Sequence, residues 1–342
     1  MNLRRAIMQR LLFIFAISIL LVACAEEKEE PGRIDFDGKV PNFDGICADG
    51  EGSIDVRGQW AGIANLQVEL VARSGALVAL CPNPQIQPAE LVMLINLTEG
   101  EGGSTNVELQ LCDLELPTIL AGVGSCPSDP SRILELAILP SDALAELLPT
   151  LRIEFDSGLP STINAGDDFI PDSFVELLGV ELDDPRDPLP YWNESRTNCG
   201  LGGKGGPADC VEDYDRIQDS DGDGNLGVTL FANSGVGGLV EGEAYTTIRL
   251  APQLEGTIRN DICIDGTIAL NLDFTIVDSI ASVSGIVLST PLLNANIPPL
   301  NFLSDSRFKL LRADTTRVPF DDDGDGIITC EEVRNNRGNF LR

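Results

Sequence analysis

Over residues 266–279, GTIALNLDFTIVDS, apolar and polar side chains alternate without a slip. Ile268, Leu270, Leu272, Phe274 and Ile276 fall on one face, with Asn271, Asp273 and Thr275 between them. Successive side chains of an extended backbone point to opposite faces, so this pattern fits a half-buried strand and no helix. The same period recurs at Leu134, Leu136 and Ile138 and at Leu151, Ile153 and Phe155. In NVELQLCDLEL it runs through Val107, Leu109 and Leu111, then slips to Leu114 and Leu116, which predicts a β-bulge. Further strand candidates are 66–72, 76–81, 90–97, 228–233, 245–250, 283–289 and 306–312. Glycine, proline, asparagine and aspartate break these runs at short intervals. That rhythm predicts an all-β chain, an antiparallel sandwich or barrel. One short helix is expected over 141–150.

The stretch 181–225 is rich first in proline, then in glycine, then in acid. A structureless loop this long is uncommon inside one domain. It therefore reads as a connection between two β-rich lobes, 51–180 and 226–318, with a loop and short helix closing the chain at 319–342.

The N-terminus carries Arg4, Arg5 and Arg10, then an apolar run from Leu11 to Ala23 that is short for a membrane span and suited to a secretory signal. It ends in Leu21-Val22-Ala23-Cys24. These residues resemble the lipobox of bacterial lipoproteins. The resemblance implies a signal peptide over 1–23, cleavage before Cys24 and an acyl (palmitate-type) chain on its sulfur. Ala25, with no aspartate after the cysteine, implies sorting to the outer membrane or cell surface. Residues 24–50 are charged and read as an acidic tether.

Removing residues 1–23 takes three arginines and no acid from the 23 basic and 54 acidic residues, leaving a net charge of −34. Such a chain repels phosphate backbones, so nucleic acid is excluded as a partner. The membrane would be held by the acyl chain, not by surface charge. With Cys24 acylated, Cys47, Cys81, Cys112, Cys126, Cys199, Cys210, Cys263 and Cys330 remain. An even number in an exported chain predicts four disulfides, and proximity singles out only Cys199–Cys210. There is no histidine, which removes the usual general base and histidine-bound zinc.

Near the C-terminus the spacing becomes specific. Asp321, Asp323 and Asp325 alternate, Gly326 follows, and Glu332 completes twelve positions. The run resembles an EF-hand calcium loop, which implies oxygen ligands from the three aspartates, the Ile327 carbonyl, Thr329 through a water, and both oxygens of Glu332. Pro319 argues against an incoming helix. Thr329 and Glu332 have capping-box spacing for a short outgoing helix that stops by Gly338. A second run, Asp219, Asp221, Asp223, Gly224 and Asn225, resembles the first half of such a loop, but Leu230 stands where the bidentate acid belongs. Asp213 or Asp215 is the candidate to complete it.

Three function classes follow. The first is a calcium-binding, lipid-anchored surface protein with a structural or adhesive role and no enzymatic activity. The alternative is a carrier of lipid or another small apolar ligand, whose strands enclose a greasy cavity. Least favoured is an acidic hydrolase, for which no carboxylate pair stands out. Trp60 and Trp192 are candidates for sugar stacking, although core packing is the commoner fate of a lone tryptophan.

Overall fold

A computed structural model describes residues 45–73, 76, 78–199, 204–234, 240–283, 285–315 and 317–341. Cys24 and the LVAC motif lie outside the described residues, as does most of the tether.

The chain is mostly strand, in one large curled antiparallel sheet that forms a half-barrel. In order come β1 (Ser53–Asp55), β2 (Gly58–Leu70), β3 (Val78–Leu80), β4 (Gln85–Glu99), β5 (Ser104–Glu115) and β6 (Ile119–Val123). Then follow β7 (Leu134–Pro140), β8 (Ile153–Pro160), β9 (Thr162–Asn164), β10 (Asp168–Phe169), β11 (Glu176–Leu178) and β12 (Val228–Asn233). The last are β13 (Val240–Asn260), β14 (Cys263–Val283), β15 (Ile286–Leu288), β16 (Leu300–Phe302) and β17 (Arg307–Arg312). Among the described residues the α-helices are four and short: α1 (Asp142–Leu147), α2 (Pro207–Cys210), α3 (Thr290–Asn296) and α4 (Cys330–Asn335). The main path across the sheet is β3-β6-β7-β12-β13-β14-β17-β2-β4-β5-β8.

That order corrects the picture of two lobes with separate sheets. β7 pairs with β12, and β17 inserts between β14 and β2, so strands from 51–180 and 226–318 share one ladder. Residues 42–342 make one compact unit. Nor is 181–225 a bare linker. Val211, Ile217, Tyr245 and Val277 form a small buried cluster with Trp192, Tyr214 and Leu226 against it, so this stretch packs onto β13 and β14. It escapes the rule on long loops because Cys199–Cys210 and bridges such as Val180 to Ile217 tie it down.

Both faces of the sheet are covered. On the concave face, Leu91, Met93, Ile95 and Leu97 of β4 join Ile268 and Leu270 of β14 in the main core. On the convex face, Val92 and Leu94 of β4 meet Ala61, Ile63 and Leu311 under a C-terminal strap of Val318, Phe320, Ile328, Val333 and Phe340. Burial on both faces explains why 90–97 reads as a near-continuous apolar run. The bulge foreseen in β5 is present: Val92 faces Asp113, but Met93 faces Leu111, so Cys112 is the extra residue. Its sulfur is thereby free to reach Cys330 of the strap.

The other disulfides are Cys47–Cys263, Cys81–Cys126 and Cys199–Cys210. Further ties hold the strap down. The Lys309 ammonium, fully buried, donates to the Phe340 carbonyl at 3.0 Å, and Arg337 pairs with Glu90, Asp113 and Glu115.

One side chain closes the curl. Gln85 of β4 is buried; its Nε2 donates to the Leu120 carbonyl and its Oε1 accepts from Leu120 N, both at 2.9 Å. An amide thus copies a strand's hydrogen-bonding pair and stitches β6 to β4 across the mouth of the curl. Lower down, Gly256 and Gly266 face each other where a Cβ on Gly256 would meet Phe308 at 2.7 Å, so this pair is fixed as glycine by packing.

Candidate functional site

Two regions carry chemistry: the acidic loops and a hollow in the barrel.

In the C-terminal loop, Asp321 Oδ1 and Oδ2 accept from Gly324 N and Gly326 N at 2.6 and 3.0 Å. Asp323 accepts from Asp325 N and Asp325 from Ile327 N, a chain of side-chain turns that winds the loop around its own carboxylates. Gly326 has φ +82°, the left-handed turn the spacing demands. Asp321, Asp323 and Asp325 each bring a carboxylate oxygen within 4.8 Å of the others. Oxygens on opposite sides of a calcium ion stand about 5 Å apart, twice the bond length, so the triplet has the right span and an all-oxygen donor set. Glu332 lies outside that triplet. It is buried, with Oε1 accepting from Asp322 N at 2.8 Å and Oε2 from Thr329 N and Oγ1 at 2.8 and 2.9 Å. Burial acts to raise its pKa, but these hydrogen bonds win and hold it below the usual range. The capping box with Thr329 is complete, and among the described residues no helix leads directly into the loop.

The second loop is built in the same way. Asp219 accepts from Gly224 N at 3.0 Å and Asp223 from Asn225 N at 2.8 Å. Asp219, Asp221 and Asp223 also gather within 4.8 Å. Asp213 and Asp215 are not among them; Asp213 precedes, and Asp215 sits within, a helical turn at Tyr214–Arg216. Asp221 Oδ2 accepts instead from Thr229 N at 3.0 Å and from Ser141 Oγ at 3.3 Å, while its Oδ1 is buried with no partner. Burial raises its pKa, against the pull of these hydrogen bonds. An orphaned carboxylate oxygen is the kind of atom a cation satisfies. Ser141 is also the N-cap of α1, accepting from Leu144 N at 3.0 Å, so this loop is wired to the start of that helix.

The hollow is on the concave side. A cavity of about 410 Å³ lies between β3, β6, β7, β12, β13 and β14, roofed by α1 and α3. Leu144 of α1 and Leu148 of the turn after it line one side, Leu293 of α3 and the following Ile297 another. The strands contribute Leu136, Ile138, Leu230, Ile248, Leu250 and Leu272 among others. α3 is pinned over it by Asn294, which donates to the Ile276 carbonyl at 2.9 Å, and by Thr290 on Ser279. The sequence explains why this end is hollow. Trp60, Phe169 and Phe308 are fully buried at the other end of the same core, where Phe155 and Phe174 also stack, and the void there is only about 40 Å³. The large cavity has just Phe231 and Phe274 as aromatics along its walls.

Another opening of about 480 Å³ lies beside loop residues 327–331, but it is a polar groove whose Arg152 is paired to Glu108 at 3.3 Å. Trp60 is core, its Nε1 donating to the Val56 carbonyl at 2.8 Å, so it offers no sugar platform. Among the described residues, no helix is long and apolar enough to cross a membrane. Sequence reasoning raised the cavity as an alternative without naming its walls. The alternation of Ile268 to Ile276 was the available signal; the roofing by α1 and α3 had none. No protein-family model, no curated protein and no solved structure matches the chain.

Proposed function

We propose that the protein is an exported, lipid-anchored, non-enzymatic carrier or receptor for a small apolar ligand, with calcium bracing its acidic loops. This puts the ligand-binding reading ahead of a purely structural or adhesive one. The observation that carries it is the cavity of about 410 Å³ with an almost wholly apolar lining. So much apolar surface left without packed neighbours is unfavourable, and an apolar occupant would cover it. A chain that can place three large aromatics at one end of its core and leaves the other end hollow is built for an occupant. The volume falls in the usual range of small-molecule sites, roughly 300–1,000 Å³.

The calcium part rests on the two aspartate triplets, whose spans fit the ion. Asp321, Asp323 and Asp325 would be the primary ligands of the C-terminal site, and Asp219, Asp221 and Asp223 of the other. When bound, the ion would neutralise crowded carboxylates and fix the loops. The anchoring part rests on the lipobox resemblance alone.

Organic extraction of the natively purified protein, followed by mass spectrometry, tests the reading. The expected result is a stoichiometric apolar compound, and saturable uptake of a neutral apolar fluorophore by the extracted protein. No released compound together with no fluorophore uptake would overturn it.

A further inference from the structure

The charges around the cavity sort the ligands it can hold. Glu241 and Glu243, at the start of β13, are the charged residues of its lining; no lysine or arginine contributes to it among the described residues. Its interior offers no partner for a charged headgroup, so any head must stay at the rim. One cation stands there. Arg73 is exposed, follows the cavity-lining Ala72, and donates through Nε to the carbonyl of cavity-lining Ile297 at 3.0 Å. That bond anchors the base of the guanidinium and orients the planar group at the rim. Among the described residues Arg73 has no carboxylate partner, in a chain with 54 acids against 23 bases.

Resting on the carrier reading, we propose that the ligand is a long-chain amphiphile with an anionic head, its chain in the cavity and its head against Arg73. Guanidinium geometry suits a carboxylate or phosphate oxygen pair. The site is open to water, so the ion pair supplies modest selectivity, roughly fivefold.

The test uses the extracted full chain as wild type, Arg73→Gln and Arg73→Lys. A bound neutral fluorophore is displaced by hexadecanoate or by hexadecanol at low salt and pH 8.5. The carboxylate should bind about fivefold tighter than the alcohol in wild type and in Arg73→Lys. In Arg73→Gln that difference should vanish while the alcohol binds as before. Equal binding of the two in wild type, or an equal loss of both in Arg73→Gln, would overturn the proposal while leaving the cavity reading intact. Displacement by neither would overturn the cavity reading and this proposal with it.

Discussion

Substituting a larger side chain into a core normally destabilises, and the cavity reverses that sign. Ala244 of β13 lines the hollow, opposite Leu230 of β12 and Ser279 of β14. Burying a phenylalanine ring there removes apolar surface from water worth about 1.5–3 kcal/mol. In a filled core the same change would strain its neighbours and cost about 1–3 kcal/mol. Ala244→Phe should therefore raise the stability of the extracted protein by about 2 kcal/mol. At an m-value near 3 kcal/mol/M that is a urea midpoint higher by roughly 0.7 M. The ring also occupies ligand space, so affinity for an apolar fluorophore should fall roughly tenfold, equivalent to about 1.4 kcal/mol. Equilibrium urea unfolding with disulfides intact gives the first quantity and fluorescence titration the second. A lower midpoint with unchanged fluorophore binding would refute the reasoning, because it would mean that Ala244 faces packed atoms.

Two further outcomes follow from the convex face. Calcium should raise the unfolding temperature of wild type, by a gain of about 2.7 kcal/mol at a hundredfold excess over the dissociation constant, and Asp323→Asn should lose most of that gain; equal melting of wild type in calcium and in chelator would remove the loop as a binding site. Burial pushes Glu90 up from 4.5 to about 7, with Arg337 pulling it down and Glu115 and Asp113 pushing it further up. Between those two values the folded chain keeps a proton that the unfolded chain has lost, so stability falls as pH rises through the window, by about 3 kcal/mol at most. Glu90→Gln should flatten the fall in urea midpoint between pH 5 and pH 8, whereas an unchanged slope would show that Glu90 does not titrate there.

Much of the fold was legible because it is written in local alternation. Ile268 to Ile276 face the core as their period requires, and the slip after Leu111 marks a real bulge. The Cys199–Cys210 bridge was readable because the loop is short. Pairing at long range left no such trace. Nothing near Ile63 announces that Lys309 will lie beside it, and nothing near Cys112 points to Cys330. The expectation of two lobes failed there, since a composition break at 181–225 reports local chemistry, not strand order. At the acidic loops, spacing located both aspartate triplets. The capping-box spacing of Thr329 and Glu332 was readable and is present, but nothing foresaw that Asp322 would also hold Glu332, or that Ser141 and Thr229 would meet Asp221. Those contacts depend on which elements the fold brings alongside. The stitch at Gln85 was invisible for the same reason.

The insertion of β17 between β14 and β2 has a consequence for how the chain can be made. β2 is among the first strands to emerge, yet its partner on one side lies about 250 residues later. At synthesis rates of about 5–20 residues per second, that edge would stand unpaired for roughly 12–50 s, with Ala61 and Ile63 uncovered until the strap arrives as well. An open apolar strand edge is a template for pairing with another chain. A chain of this topology cannot complete its sheet piecemeal from the N-terminus. Its sheet is complete only once β17 has been made, and the Cys112–Cys330 bridge then ties the strap to β5.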